Sequence, residues 1–247
     1  MKALVAAELL KFRTTRGWIG FVVAVVGLSG IAAAALAGSG AAFEIDDPEF
    51  QRDLVSTSVA ASLVALLVGI TSVTVEWRHG TITRTLLGMP RRARILVAKE
   101  IAVVLIATGL ALLGVLVVLT VAVPVLSGEG AGFQFDGELA ARIGRVLLAV
   151  ALWGALGVGV GALLKSQTFA LVAAILWTVV LEALVGALLG LADLDGVADF
   201  LPGNALDALD GSVDDLLSPA VGGLVGLVYA VGFGVLGYLR LARSDVT

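Results

Sequence analysis

Six long apolar runs, separated by short polar stretches, set the plan of this chain. They are Trp18–Ala37, Ser56–Val75, Ile101–Val123, Val146–Leu164, Phe169–Leu191 and Ala220–Leu239. Each comes close to the ~20 apolar residues that a helix needs to cross a bilayer. The pattern predicts an all-α membrane protein, with six transmembrane helices in a single domain over residues 1–247. Ahead of the first run, Met1–Arg16 puts Val5, Leu9 and Phe12 on one helical face and Lys11 and Thr14 elsewhere. This suits an interfacial helix on the inner leaflet, although an ordinary basic flank explains it equally well. After the fifth run, Val197–Leu217 mixes aspartates with Phe200, Leu201, Leu206, Leu209, Leu216 and Leu217, which predicts short amphipathic helices at the outer surface.

Composition agrees with a membrane setting. The 247 residues are 59% hydrophobic, with mean hydropathy +1.06, against about 45–50% apolar in soluble domains. A basic start before the first run resembles a signal peptide. About 17 residues precede the run, Glu8 is among them, and the run is ~20 residues long, so it is read as a retained span.

Charge orients the bundle. With the N-terminus inside, thirteen of the sixteen Lys and Arg lie inside and only Arg52, Arg142 and Arg145 outside. That asymmetry places both termini in the cytoplasm. Fifteen of the twenty acids fall outside, in loops such as Gly38–Val55, Leu126–Arg145 and Ala192–Pro219. No acidic run has the alternating ligands, fixed Gly and final Glu of a calcium loop, so these loops read as solvated acidic faces.

Catalytic chemistry finds little support. There is no Cys, and His79 is the single His, so neither a thiolate metal site nor a Ser–His–Asp triad can be assembled. Near Gly161…Lys165-Ser166 the G-K-[ST] of a phosphate-binding loop is missing, and no strand precedes it. No catalytic residue, metal or directly bound cofactor is expected, and no nucleic-acid partner.

Two stretches remain as functional candidates. The first is the basic segment between spans two and three, from Glu76 to Lys99, with six of the sixteen Lys and Arg and His79. Within it Gly80 opens a short helix-like stretch. Ile82 and Leu86 form an i, i+4 apolar pair, and Gly88 and Pro90 end it. The second is polar positions inside spans. Ser58, Ser62, Ala65, Gly69, Ser72 and Glu76 repeat at steps of three and four and share one helical face, as a packing seam or a cavity wall. Glu182 is the ionisable residue deep in a span, with Thr178 on its face. A carboxylate there is kept for a translocation path, a subunit interface or a hydrogen bond to a neighbouring helix. Gly157, Gly161, Gly186, Gly190, Gly222, Gly226 and Gly234 mark helix-contact faces.

In order along the chain come Glu8-Leu9-Leu10-Lys11-Phe12-Arg13-Thr14-Thr15-Arg16, the spans, Glu76-x-Arg78-x-Gly80-Thr81, Leu86-Leu87, Pro90-x-Arg92, Lys99 and Arg243-Ser244-Asp245-Val246. That series resembles the permease subunit of a type-2 ABC transporter over essentially the whole length. The resemblance implies an N-terminal elbow helix and a coupling helix on Thr81, Ile82, Thr83, Arg84, Thr85, Leu86, Leu87 and Gly88. It also implies short outer helices between spans five and six. Two ABC ATPase subunits, which would bind ATP and Mg, and a second permease, identical or homologous, are the implied partners. The location implied is the bacterial cytoplasmic membrane. Ser58, Ser62, Ser72, Thr178 and Glu182 are the candidates for a translocation path or permease interface. The function expected is export of an unknown substrate (drug, lipid or peptide antibiotic) by alternating access. A non-transporting anchor or sensor subunit is the alternative.

Overall fold

Inside a bilayer no water serves the backbone N–H and C=O groups, so an apolar run satisfies them within itself as a helix. The computed structural model describes residues 1–39, 46–81, 92–130, 132–213 and 216–243. Helix α1, Lys2–Thr14, leads into α2, Gly17–Gly38. Helix α3, Pro48–Ser56, starts at Asp47, whose side chain accepts from Glu49 N–H, with Pro48 in the first turn. A 3-10 turn, Thr57–Ala60, joins it to α4, Ala61–Arg78. The Thr57 and Ser58 hydroxyls donate to the carbonyls of Leu54 (2.6 Å) and Val55 (2.7 Å), which competes with the helical ladder and tightens the chain there. The second span is therefore two helices meeting at a turn.

Helix α5 spans Arg92–Gly128 and α6 spans Gly137–Leu164. Both begin before their apolar runs, so Lys99, Glu100, Arg142 and Arg145 sit on helices rather than in loops. Asp136 caps α6 by accepting from Leu139 N–H at 2.7 Å. The fifth span combines α7, Gln167–Leu176, a π-helical stretch Trp177–Leu181, and α8, Glu182–Gly190. Short helices α9, Asp195–Ala198, and α10, Pro202–Asp210, precede α11, Pro219–Ala242. Six of these segments are long and apolar enough to cross a membrane, so the chain is a multi-pass membrane protein.

Helix α6 is the central helix. Small residues bring its backbone against α4: a Cβ on Gly69 would collide with the Gly154 carbonyl, and one on Gly157 with that of Leu66. On its other side Gly159 meets the Phe233 and Gly234 backbone of α11. Helices α2, α7–α8 and α11 stand around this core with much of their apolar surface exposed. The expected contact face at Gly186 has no neighbour within 4 Å. That position is half-buried but lies beyond contact distance of α10 and α11.

One end of the bundle, called proximal below, gathers α1, the adjoining ends of α4 and α5, the α6–α7 turn and the C-terminal end of α11. Lys11 reaches Glu76, Arg78 donates to Gln167 at 3.2 Å, and Lys165 donates to the Arg240 carbonyl at 3.4 Å. The distal end carries α3 and α10. Arg142, buried in α6, ties them together by donating to Glu49 (2.6 Å), Ser56 Oγ and the Asp210 carbonyl (both 3.3 Å), and the Gly211 carbonyl.

Candidate functional site

At the distal end the fifth span turns its polar residues inward. The wider π-helical turn leaves Thr178 and Glu182 on one face. Together with Ser62 of α4, Trp153 of α6, and Asn204 and Asp207 of α10 they line a cavity of about 310 Å³. Three of the five candidates for a path or permease interface, Ser62, Thr178 and Glu182, thus meet in one place.

Glu182 is buried, and its Oε1 accepts from the backbone N–H groups of Gly203 and of Asn204 (3.3 Å). These belong to the first turn of α10, where Pro202 brings no donor and the next N–H groups lack intrahelical acceptors. The carboxylate caps α10 from another helix, at the positive end of its dipole. Asp207, one helical turn further on, faces the same space. Burial, and then the charge of Glu182, push its carboxyl up to about 6. Asp210 ends the helix fully buried, and burial pushes it up to about 7. Its Oδ1 accepts from Ser212 N–H at 2.9 Å, while Oδ2 has no partner among the described residues.

The remaining two serines lie elsewhere. Ser58, on the 3-10 turn, is buried with its Cβ close to Gly114 of α5. Ser72 donates to the Gly69 carbonyl at 2.7 Å and offers its own carbonyl to Lys99 at 2.9 Å. The serine seam is therefore split by the 3-10 turn and by the width of α4. Ser62 looks into the distal cavity, while Ser58 and Ser72 look toward α5.

At the proximal end a charge knot had no direct signature in the sequence. Lys99 is 2% exposed, and its ammonium lies 2.8 Å from both Glu8 of α1 and Glu76 of α4. Lys11 bridges the same two carboxylates, at 2.6 Å to Glu8 and 2.8 Å to Glu76. Two cations and two anions thus lock α1, α4 and α5 together. The residue types were visible, Glu76 and Lys99 at the ends of spans and Glu8 and Lys11 ahead of the first, but their pairing depends on how α1 folds back. Phe12 stacks on Phe21 to hold that return, with ring centroids 6.3 Å apart.

Just past the knot α4 ends in a turn at Gly80, whose backbone is left-handed with φ 65°. Thr81 N–H donates to the Glu76 carbonyl at 3.0 Å. The rest of the expected coupling stretch, 82–88, lies outside the described residues. Gly161 packs on the Ile70 backbone, Lys165 takes a left-handed backbone with φ 57°, and its ammonium sits 4.8 Å from the Trp77 ring centre.

A family model described as "ABC-2 family transporter protein" matches residues 27–246, most of the chain, beginning within α2. None of the curated proteins compared matches the sequence.

Proposed function

The chain belongs to the ABC-2 transporter family as a permease subunit of an ABC transporter, and from that premise we propose that it is an exporter with its proximal end in the cytoplasm. The observation that carries the mechanism is the Glu8–Lys11–Glu76–Lys99 knot, in which Glu76 and Lys99 are buried, a few residues from each end of the basic segment 82–91. Removing one partner of a buried ion pair costs about 3–5 kcal/mol, so a push on that segment moves α1, α4 and α5 as one piece. An ATPase docked on Thr81–Gly88 delivers the push, and two permeases with two ATPases form the working unit. ATP binding by the ATPases biases two arrangements of the bundle, which is what alternating access requires. The cavity lined by Ser62, Thr178 and Glu182 lies on the resulting path.

The test is assembly and transport with Ile82→Asp and Leu86→Asp. A carboxylate forced into an apolar cleft costs several kcal/mol, so ATPase copurification or ATP-driven export is lost. Parental assembly and export by both variants would refute the coupling role. ATP turnover with no movement of any substrate would favour an anchor or sensor subunit.

A further inference from the structure

Two cavities of similar size adjoin where the fifth span meets α4, α6 and α10. The polar one holds Glu182 and Asp207. Its neighbour, of about 330 Å³, is walled by Trp153, Trp177, Tyr229 and Phe233. Leu66, Trp153 and Thr178 belong to both, so the aromatic space lies directly beside the acidic one.

We propose that this pair of cavities is a binding site for an amphipathic organic cation, its charged group beside Glu182 and Asp207 and its apolar body among the four aromatic rings. Charge selects the sign. Neither carboxylate has an ion-pair partner among the described residues. An anionic group would meet two acids with no base, and a neutral one would leave Asp207 without a counter-charge. An independent feature points to a missing ligand. Ser62 is 7% exposed, lines the polar cavity, and its hydroxyl has no hydrogen-bond partner among the described residues. A buried polar group left unmet is destabilising, and a ligand donor or acceptor would relieve that.

The lining also bears on the kind of cation. A calcium ion takes about 6–8 oxygen ligands. Among the described residues no three acidic or histidine side chains converge to hold a metal. Glu182 already spends Oε1 on two backbone donors. Aromatic faces, by contrast, attract ammonium and phosphonium groups and accept an apolar body.

This site rests on the permease reading, but binding can be measured without the ATPase. The full-length chain in lipid nanodiscs is titrated with tetraphenylphosphonium, following tryptophan fluorescence from Trp153 and Trp177. Tetraphenylborate, of the same shape and opposite charge, is the control. The phosphonium gives saturable quenching and the borate none beyond that of empty nanodiscs. Asp207→Asn weakens phosphonium binding about tenfold, as loss of one partly screened charge at a few ångströms implies. Ser62→Ala weakens it less. Absence of saturable phosphonium binding, equal binding of the borate, or parental affinity in Asp207→Asn would each overturn the site. If Asp207→Asn does not fold, the phosphonium–borate comparison on the parent chain decides alone. Saturable binding without ATP-driven export would overturn the export reading and leave the site standing. Export without phosphonium binding would do the reverse.

Discussion

Lys99→Met tests the proximal knot directly. Methionine matches the length of the lysine stem but brings no charge. It leaves Glu76, itself buried, with Lys11 as its remaining cation and Oε2 still without a partner among the described residues. At 2.8 Å, each Lys99–carboxylate pair is worth ~6 kcal/mol of Coulomb attraction at an effective dielectric of about 20, before the desolvation that offsets most of it. Breaking a buried pair on one side costs about 3–5 kcal/mol, and Lys11 holds the expected loss near ~3 kcal/mol. For a chain of about 150–250 residues, 1 kcal/mol corresponds to ~2–4 °C in Tm, so melting of purified protein in detergent falls by roughly 6–12 °C. Lys99→Met with Glu76→Gln removes the orphaned charge as well and regains at least half of that loss. A single variant melting within about 1 °C of the parent would refute the reasoning, because a buried charge cannot lose its partner at no cost. A double variant as unstable as the single one would place the effect in packing rather than charge.

Arg142→Met releases α3 and α10 together, since it removes bonds to Glu49, Ser56 and the carbonyls of Asp210 and Gly211. The expected loss is about 3 kcal/mol, and limited proteolysis should nick the 46–56 and 202–213 stretches faster than in the parent. Asp207 and Asp210 have folded values near 6 and 7, above the 3.8 of an ordinary aspartate, so the folded state holds their protons longer than the unfolded chain. Their stabilising contribution is full below about pH 4, falls as pH rises, and is gone above about pH 7. Asp210→Asn should flatten the decline in melting temperature between pH 6 and 7 and raise stability at pH 7.5; an unchanged profile would count against the assignment. Gly69→Ala drives a methyl group into the Gly154 backbone and should cost about 1–3 kcal/mol, measured by thermal melting. Gly186→Leu meets open space within one chain, so parental stability combined with loss of permease pairing on size exclusion would put Gly186 in the interface between two copies.

The six spans were legible because apolar runs of bilayer length leave few alternatives to helix. Their ends were less so. The helix of span three starts at Arg92 rather than Ile101, because Lys99 finds Glu8 and Glu76 and can enter the bundle. Nothing local in the sequence announces that compensation. Glu182 stood out because a carboxylate in a span is costly, yet its partners are backbone N–H groups of Gly203 and Asn204, which have no side-chain signature. Pro202 at the start of α10 was the available hint. The π-helical stretch Trp177–Leu181 is hidden in an apolar run that reads the same at either pitch. Arg142 read as an outer-loop charge. Its role as a buried staple follows from where α3 and α10 meet, a matter of tertiary packing.

The two ends of the bundle are joined by one element. Helix α4 carries Ser62 at the distal cavity and Glu76 in the proximal knot, roughly 20 Å apart at 1.5 Å per residue. Along that length it cannot bend freely, because Gly69 lies against the backbone of Gly154 and Val158 and Gly157 against that of Leu66. Backbones this close leave no room for α4 to bend toward α6. Helices α4 and α6 therefore form a stiff pair spanning the membrane. Helices α7 and α8 share far less buried surface with that pair and offer Thr178 and Glu182 from the other side of the cavity. The cavity wall is thus half stiff and half loosely held, and a shift of α4 relative to α7–α8 changes its width. Glu182 sets the limit on that motion. While it caps α10, the distal helix follows the fifth span, and opening the cavity means parting Ser62 from Thr178 rather than breaking the cap.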